Sequence, residues 1–366
     1  MPEPIRVAYL IVDLEIGGAQ RVLERLVTHL DAKRFHAIVV SLKAEGPLVH
    51  AFVQKGVRVV CLRMRGPRDA LSLLGLVEIL RDFRPHVLHT FMFHANVVGR
   101  VCGRVAGVPH IITSIHGMET RFYHLPLERL TWRFSDRVLF VADAIRRWAA
   151  RAAGIQGAGT DVVYNGVPEP IATRPGIRTE LGIQRARVVA TAGRLVPRKG
   201  MRTFLQTAAI LAPKFPDVTF VVLGGGELDG VLRELSRQLG IESRVHFAGW
   251  RDDVTRALVG AEAFVYASRY GEGLPTVVVE AMMAGVPVVA TDVAGTREAV
   301  VDGETGILLG TRTPQTVADA VASLLSDPAR ARAMGEKGRE RARERFSVEA
   351  MVDTMTRLYE SFARRR

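Results

Sequence analysis

The sequence predicts an α/β fold with two Rossmann-like, doubly wound domains, and three observations lead to that prediction. Short apolar runs typical of buried parallel strands alternate with segments of helical periodicity along most of the chain. The alternation stops once, at residues 165–175, where prolines accumulate and periodicity is absent. The chain has 366 residues, 48% of them hydrophobic, which is enough for two sizeable cores.

The first predicted domain covers residues 1–168. Its strands are predicted at residues 5–12, 35–42, 57–62, 87–91, 110–115, 137–141 and 162–164, and its helices at 19–30, 47–54, 71–83, 95–106, 126–134 and 144–153. This repeated alternation predicts a parallel sheet with right-handed crossovers. Ligands are therefore expected beyond the carboxyl ends of the strands.

The second predicted domain covers residues 169–345, and a last helix covers 346–366. Strand signals begin at residues 187, 218, 244, 263 and 286, and helix signals cover 203–211, 275–284, 313–325 and 329–346. Residues 303–306 are predicted to form a turn. The second domain thus repeats the pattern of the first.

Two strand ends in the first domain carry candidate ligand-binding residues. Gly17 and Gly18 separate the first strand from the first helix, an arrangement that suits a phosphate because glycine allows close approach and a helix N-terminus favours negative charge. It is not G-x-G-x-x-G, so no nicotinamide cofactor is predicted, and a plain tight turn is the alternative. His116 follows the strand at 110–115, where an imidazole can bond a sugar hydroxyl or only a backbone group.

A basic loop follows the first strand of the second domain. It runs from Gly193 to Gly200 and contains Arg194 and Lys199. Two cations on a glycine-bounded loop suit a diphosphate, since Arg offers planar bidentate donors and Lys a point charge. Glycine turns that contain Gly225 and Gly249 follow the next two strands.

Residues 270–290 combine a glycine-rich turn, a helix start and two carboxylates eight positions apart, Glu272 and Glu280. Pro275 and Thr276 suit the first turn of a helix, whose free N–H groups favour an anion. Glu272 then precedes the helix and Glu280 lies inside it. Two solvated carboxylates would also explain the pair on its own.

Together, the basic loop and the Glu-x7-Glu segment resemble the signatures of retaining GT-B glycosyltransferases of the family 4 type, the glycosyl transferases group 1. The resemblance covers almost the whole chain, including an Asn165-Gly166-Val167 hinge. It implies the GT-B fold, in which two Rossmann-like domains face a cleft and a terminal helix returns to the first domain. It also implies transfer from a nucleotide-diphosphate sugar to a saccharide or lipid-linked acceptor, in cell-envelope polysaccharide, lipopolysaccharide or glycolipid synthesis.

The resemblance also implies a role for each site residue. The residues implied in catalysis are His116, Arg194, Lys199 and Glu272. The residues implied in donor binding are Gly17, Gly18, Gly193, Gly225, Gly249, Trp250, Gly273, Leu274, Pro275, Thr276 and Glu280. Trp250 would contact the nucleotide base or, alternatively, lie at the rim of the core. Arg194 and Lys199 would neutralise the leaving diphosphate, Glu272 would accept from donor-sugar hydroxyls and Glu280 from the ribose.

The resemblance further implies retention of the anomeric configuration by front-face attack, in which the leaving phosphate takes the acceptor's proton. No metal and no cofactor besides the nucleotide sugar would be required. Nine of the ten histidines lie in residues 1–168, but their spacing matches no zinc pattern. The two-carboxylate scheme of hydrolases disagrees with the basic loop, because a hydrolase has no leaving diphosphate.

Composition and charge predict the location of the protein and the kind of partner it contacts. Because no apolar run could span a bilayer and no leader pattern is present, we expect a cytoplasmic protein. Cys61 and Cys102 lie in apolar surroundings and are predicted to be buried thiols. The net charge is +12, from 50 basic and 38 acidic residues. The first domain carries +8 of it, from 22 basic and 14 acidic residues, which favours an anionic acceptor or contact with an anionic membrane at the inner face of the plasma membrane.

Arginines beside tryptophan, at residues 132–133 and 146–148, suit a membrane interface but equally suit helix packing. Three other functions would need features that this sequence matches poorly. A sugar-nucleotide epimerase would need acid and base groups around the sugar, and a phosphorylase would need a late lysine for pyridoxal phosphate, where only Lys337 is available. A nucleic-acid-binding module would need interleaved aromatics, which make up only 7% of the chain.

Overall fold

The computed structural model describes residues 3–66, 69, 71–118, 123–171, 176–269, 273–293 and 295–363. The chain forms two compact units: unit 1 comprises Met1–Gly166 and Val348–Arg366, and unit 2 comprises Val167–Ser347. Each unit is built on a parallel sheet with helices between its strands. The predicted α/β fold with two doubly wound domains is confirmed.

Unit 1 contains a seven-stranded parallel sheet. Its strands are β1 (Ile5–Ile11), β2 (Phe35–Ser41), β3 (Arg58–Cys61), β4 (Val87–Phe91), β5 (His110–Ile115), β6 (Arg137–Phe140) and β7 (Thr160–Val162). Their order in space is β3-β2-β1-β4-β5-β6-β7, so the winding direction reverses between β1 and β4. The pairing of Ile11 with Phe91 ends both strands at the same level. Open α/β sheets bind ligands at such a reversal point.

Helices cover both faces of this sheet. They are α1 (Gly18–His29), α2 (Val49–Gln54), α3 (Ser72–Phe83), α4 (Phe93–Val105), α5 (His124–Thr131), α6 (Asp143–Ala153) and, late in the chain, α15 (Val348–Ala363). Successive side chains of a strand point to opposite faces. Tyr9 and Ile11 therefore pack in the core cluster that includes α1 and α15 residues, and Ala8 and Leu10 in the cluster that includes α3 and α4 residues.

The last helix is anchored in the core of unit 1 by a buried polar contact. The Tyr359 hydroxyl lies 2.7 Å from Nδ1 of His89, and Nε2 of His89 lies 2.7 Å from Oγ of Ser114. Burial, with a smaller contribution from His116, lowers the pKa of His89 well below its ordinary value. A neutral imidazole can donate from one nitrogen and accept at the other, which suits both partners.

Unit 2 repeats the architecture with six parallel strands. They are β8 (Arg187–Ala192), β9 (Val218–Leu223), β10 (Val245–Phe247), β11 (Ala263–Tyr266), β12 (Val288–Thr291) and β13 (Gly306–Leu309). Their order is β10-β9-β8-β11-β12-β13, with the reversal between β8 and β11. The helices are α7 (Ile177–Glu180), α8 (Met201–Leu211), α9 (Asp229–Gln238), α10 (Val254–Leu258), α11 (Thr276–Met283), α12 (Thr296–Ala299), α13 (Pro314–Ser326) and α14 (Pro328–Phe346). None of the helices in the described ranges is long and apolar enough to cross a membrane.

Several element bounds differ from the predictions by a few residues, and the last helix begins at Val348 instead of residue 346; three further differences have a clear structural cause. β7 lies two residues earlier than predicted, because its pairing with Val138–Phe140 of β6 fixes its register. β13 forms where only a turn was predicted, since a four-residue strand gives little periodicity and is defined by its pairing with β12. Cys61 is half-buried rather than buried, because it ends the edge strand β3.

Candidate active site

Most predicted site residues of unit 2 follow the carboxyl ends of its strands. They are Gly193, Arg194 and Lys199 after β8, Gly225 after β9, Gly249 and Trp250 after β10, and Gly273, Leu274, Pro275 and Thr276 after β11. Parallel strands bring these loops to one side of the sheet. We call the loops after β8, β9, β10 and β11 the ligand edge of unit 2.

Direct backbone contacts hold this edge together. A Cβ atom added to Gly224 would lie 2.0 Å from the carbonyl oxygen of Gly193. The Leu195 amide donates to the Gly225 carbonyl at 3.0 Å, and the Gly224 amide donates to the Gly249 carbonyl at 2.7 Å. Glycine is therefore required where these loops touch, and main-chain groups form the floor of the edge.

The two predicted cations stand on this floor. Arg194 is exposed, and its guanidinium pairs with no residue in the described part of the chain. Lys199 is half-buried, with Nζ 5.8 Å from the centre of the Tyr266 ring. The Arg198 carbonyl accepts from the Arg269 amide at 2.8 Å, which ties the basic loop to the segment that leads towards α11. An exposed guanidinium on a glycine loop can bind a phosphate oxygen.

The N-terminus of α11 contributes to the same edge. Pro275 occupies the N-cap position and no side chain caps the helix, so its first amides can serve an anion. Leu274, directly before Pro275, is 6% exposed. Glu280 is half-buried within the helix. Glu272 lies outside the described residues, as do its neighbours 270 and 271.

Trp250 is 57% exposed, which disagrees with a place in the core. Its Cβ lies 3.8 Å from the position of a Cβ on Gly225, so the indole stands at the ligand edge. Its contact with a nucleotide base stays a prediction.

In unit 1, the glycine pair lies between β1 and α1. Gly17 is the N-cap of α1 and Gly18 its first residue. A Cβ on Gly17 would lie 2.4 Å from Oε1 of Gln20, whose amide nitrogen donates to Oδ1 of Asp13 at 2.7 Å. Gly17 thus leaves room for Gln20, whereas a Cβ on Gly18 would meet nothing within 4 Å.

A cavity of 390 Å³ lies at the reversal point of the unit 1 sheet. It is lined by Val12, Ala19, Met92, Phe93, His94, Asn96, Ile115, His116, Gly117, His124 and Glu128. These residues end or follow β1, β4 and β5 or belong to the helices that come next, and we call this region the ligand edge of unit 1. The volume lies within the ~300–1,000 Å³ range of small-molecule sites.

The predicted residue His116 faces this cavity. Both of its ring nitrogens are buried and bond to no residue that the structure describes, and its ring centre lies 5.3 Å from that of Phe91. Burial lowers its pKa to about 4. The imidazole is therefore neutral near pH 7 and can donate one hydrogen bond and accept another from a ligand hydroxyl.

Asn96 and Met92 also line the cavity, although the sequence did not single them out. Oδ1 of Asn96 accepts from the Thr90 hydroxyl at 2.9 Å, and Nδ2 donates to the Ser114 carbonyl at 3.1 Å. Met92 has φ +73, a conformation unusual for a residue with a side chain. The position directly after the strand at 87–91 was a usable signal, the same one that identified His116.

Glu128 is the carboxylate of the cavity, and nothing in the sequence pointed to it. It is 4% exposed, and its Oε2 accepts from Nη1 of the fully buried Arg100 at 2.6 Å. Arg100 also donates to Thr131 Oγ1 at 3.0 Å and to Ser135 Oγ at 3.0 Å. Among the described residues, the other oxygen of Glu128, Oε1, has no hydrogen-bond donor. A carboxylate held in place and a neutral imidazole that line the same cavity suit a ring with several hydroxyl groups.

Aromatic rings complete the lining. The rings of Phe93 and His124 stack with centres 3.7 Å apart, and those of His94 and His124 lie edge to face at 5.6 Å. Within the described ranges, no group of three or more His, Cys, Asp or Glu side chains is placed to hold a metal ion.

Two family models match the chain along most of its length. The model of Glycosyltransferase Family 4 matches residues 16–169, and that of Glycosyl transferases group 1 matches residues 174–341. The first covers most of unit 1 and the second most of unit 2.

Individual proteins are also similar to this chain along most of its length. A GDP-mannose-dependent alpha-(1-6)-phosphatidylinositol monomannoside mannosyltransferase of Mycobacterium tuberculosis is 31% identical over 352 residues, 88% of this chain and 89% of that protein. A UDP-Gal:alpha-D-GlcNAc-diphosphoundecaprenol alpha-1,3-galactosyltransferase of Escherichia coli is 24% identical, and the match covers 97% of this chain and 96% of that protein. The crystal structure of Anabaena HepE in complex with UDP has a TM-score of 0.86 at 23% identity, covering 98% of this chain and all of that one.

Proposed function

The chain belongs to the group 1 glycosyltransferases with the GT-B fold, and we infer that it transfers a hexosyl unit from a nucleotide-diphosphate sugar to a lipid-linked acceptor with retention of the anomeric configuration. The observation that carries this proposal is the ligand edge of unit 2. There Arg194, exposed and unpaired among the described residues, stands with Lys199 on a floor of main-chain groups.

The donor's diphosphate is proposed to lie against the basic loop and the N-terminus of α11. Negative charge grows on the β-phosphate as the bond between its oxygen and the anomeric carbon of the donor sugar breaks. Arg194 and Lys199 would stabilise that developing charge and so lower the barrier to transfer. Main-chain amides at the start of α11 would add a fixed dipole. Glu280 would hold the ribose, Glu272 the donor sugar, and Gly225, Gly249 and Trp250 the base.

The acceptor is proposed to place a hydroxyl-bearing ring in the cavity of unit 1. His116 and Oε1 of Glu128, which has no donor among the described residues, would offer one donor and two acceptors to such a ring. Because Gly17 and Gly18 have no side chains, their backbone would be able to lie close to the reacting groups. The names of two relatives support a lipid-linked acceptor, since one acts on phosphatidylinositol monomannoside and the other on a diphosphoundecaprenol-linked sugar.

A thermal-shift screen against UDP, GDP, ADP and their sugars tests the donor assignment. A ligand that binds only the folded state raises the melting temperature by mass action. We expect one nucleoside diphosphate to stabilise the wild type, and Arg194→Ala and Lys199→Ala to weaken that shift. With the donor so identified, each substitution should lower turnover by roughly 100- to 1,000-fold, as loss of one group that stabilises developing charge does.

Arg237→Ala is the matched control, because Arg237 is an exposed cation near the end of α9 and should change neither readout. Absence of a shift with every nucleotide would overturn the proposal. The configuration of the new bond, determined by NMR on the product, tests retention separately, and an inverted product would contradict that part.

A further inference from the structure

The outer surface of α4, α5 and the short helix Trp132–Phe134 is apolar without contributing to the cavity. The exposed fractions are 72% for Leu130, 58% for Val105, 45% for Phe134, 44% for Val101 and 36% for Leu127. We call these five residues, together with Arg104, Arg129 and Arg133, the α4–α5 surface. Contiguous exposed apolar groups of this kind mark sites of interaction with proteins or membranes.

The apolar side chains form two parallel stripes. Leu127, Leu130 and Phe134 recur at helical spacing, while the buried residues of α5, including Glu128, face inward. Val101 and Val105 are four positions apart on α4, which packs against α5 and the short helix. The helices that carry the two stripes are therefore neighbours.

The charges on this surface have one sign. The segments 93–105 and 124–134 contain a single carboxylate, Glu128, and it is buried against Arg100. Arg104, Arg129 and Arg133 are exposed. Arg104 is partly neutralised by Asp136 at 2.9 Å, and Arg129 donates to the Ala152 carbonyl at 2.6 Å. The surface thus complements an anionic partner.

The composition favours a lipid surface over a protein. The Arg133 guanidinium lies over the ring of the half-buried Trp132, 5.0 Å from its centre. Tryptophan sits at headgroup level in membrane interfaces, and arginine there can reach lipid phosphate while its stem stays among apolar groups. The same helix α4 begins at the cavity, where His94 is both exposed and part of the lining.

We propose that the α4–α5 surface docks on an anionic bilayer, with Leu130 and Phe134 inserted at the headgroup boundary and Arg129 and Arg133 against lipid phosphate. This extends the proposed use of a lipid-linked acceptor, because it puts the helices that line the cavity next to the bilayer. Apolar burial and attraction to anionic lipids add together in such docking.

Vesicle flotation of the full chain, with no donor or acceptor present, tests the proposal. We expect binding to phosphatidylcholine vesicles that contain phosphatidylglycerol, little binding to phosphatidylcholine alone, and release by added salt. The pair Leu130→Ser/Phe134→Ser and the pair Arg129→Gln/Arg133→Gln should each weaken binding at least about tenfold. The control Val231→Ser/Arg237→Gln removes an exposed apolar residue and a cation from α9 of unit 2 and should bind as the wild type does.

Melting curves with the nucleoside diphosphate found in the donor screen separate the two proposals. Variants that keep the nucleotide-induced shift but lose vesicle binding support the docking surface independently of the donor site. Equal binding of wild type to both vesicle types, or wild-type binding by both pairs of variants, would overturn it. Concentration-dependent dimerisation that the same substitutions abolish would overturn it in favour of contact between two copies of the chain.

Discussion

The two ligand edges share one topology but are built from different groups. In unit 2, loops meet through their backbones, so that a Cβ on Gly224 would lie 2.0 Å from a carbonyl oxygen. In unit 1, the corresponding reversal point is a cavity of 390 Å³ supported by buried side chains such as Asn96 and Arg100. The same sheet arrangement thus gives a main-chain cradle in one unit and a side-chain-lined cavity in the other.

The difference fits the two kinds of substrate. A diphosphate is common to all nucleotide-diphosphate sugars, and under the proposed function main-chain amides with two cations would recognise it without reference to the sugar. An acceptor differs from one enzyme to another, and side chains can change where a backbone contact cannot. We therefore expect substitutions at the unit 2 edge to act through backbone collisions and those at the unit 1 edge through unpaired polar groups.

The largest effect is expected from Gly200→Ala. Gly200 has φ +72, and its added Cβ would lie 1.9 Å from the Ala267 carbonyl oxygen. A left-handed conformation costs about 1–2 kcal/mol for a residue with a side chain, and overpacking about 1–3 kcal/mol more. Unit 2 should lose about 4 kcal/mol of unfolding free energy, measured by urea titration with hydrogen exchange read out on β8 and β11 peptides.

Gly182→Ala separates the two causes. Gly182 has φ +69 and nothing within 4 Å of an added Cβ, so only the conformational cost of about 1–2 kcal/mol should remain. Equal losses for Gly182→Ala and Gly200→Ala would contradict the claim that backbone contact between loops determines the unit 2 edge.

In unit 1, the matching experiment breaks the buried ion pair. Glu128→Gln keeps the shape of the side chain but leaves the cation of Arg100 buried without its counter-charge. Burial lowers the pKa of Arg100 and Glu128 acts against this, so the substitution removes the group that favours the charged guanidinium. Removing one partner of a buried pair costs about 3 kcal/mol or more. Urea unfolding followed by hydrogen exchange on α4 and α5 peptides should show a loss of that size.

Two further variants test whether the unpaired charge of Arg100 causes this loss of stability. Arg100→Met/Glu128→Leu removes both charges and should be more stable than Glu128→Gln, because no charge is left unpaired. Asp217→Asn breaks a pair with Arg187 in unit 2 in which Asp217 is 52% exposed, and it should cost at most about 1 kcal/mol. A double variant less stable than the single one would refute the charge argument.

The sequence predicted the fold and the position of the unit 2 candidates directly after its strands, because these signals are local, whereas their role in binding stays a prediction. Gly193, Arg194 and Lys199 lie within seven positions directly after a strand, and the strand places them at the edge. The short strand β13 was not predicted, because its four residues are defined by pairing with β12 and not by periodicity.

The unit 1 cavity could be predicted only in part, because its parts meet through long-range contacts. His116 followed a strand and was found, whereas Glu128 matters through Arg100, 28 positions away. The support of β4 by α15, through His89 and Tyr359, joins residues 270 positions apart. One chain without a known sheet order gives no signal for such pairs.

Apart from the control variants, the smallest effect is expected from His116, and it depends on pH. Burial lowers its pKa to about 4, against about 6.5 in an unfolded chain. Between these values the unfolded chain binds a proton that the folded one does not, so stability falls as pH drops from about 6.5 to about 4. From neutral pH to about pH 5 this amounts to about 2 kcal/mol, and His116→Gln should remove that part of the pH dependence in urea titrations.

His50→Gln provides the control, since His50 is exposed on α2 and its loss should leave the profile unchanged. His89 stays in both variants, and burial, the main cause of its lowered pKa, is the same in each, so that only the smaller contribution from His116 is lost in His116→Gln. A His116→Gln profile parallel to that of the wild type would mean that the imidazole is hydrated in the folded protein. The unit 1 cavity would then be an open, wet surface, and the contrast with the closely packed backbone edge of unit 2 would rest on Glu128 alone.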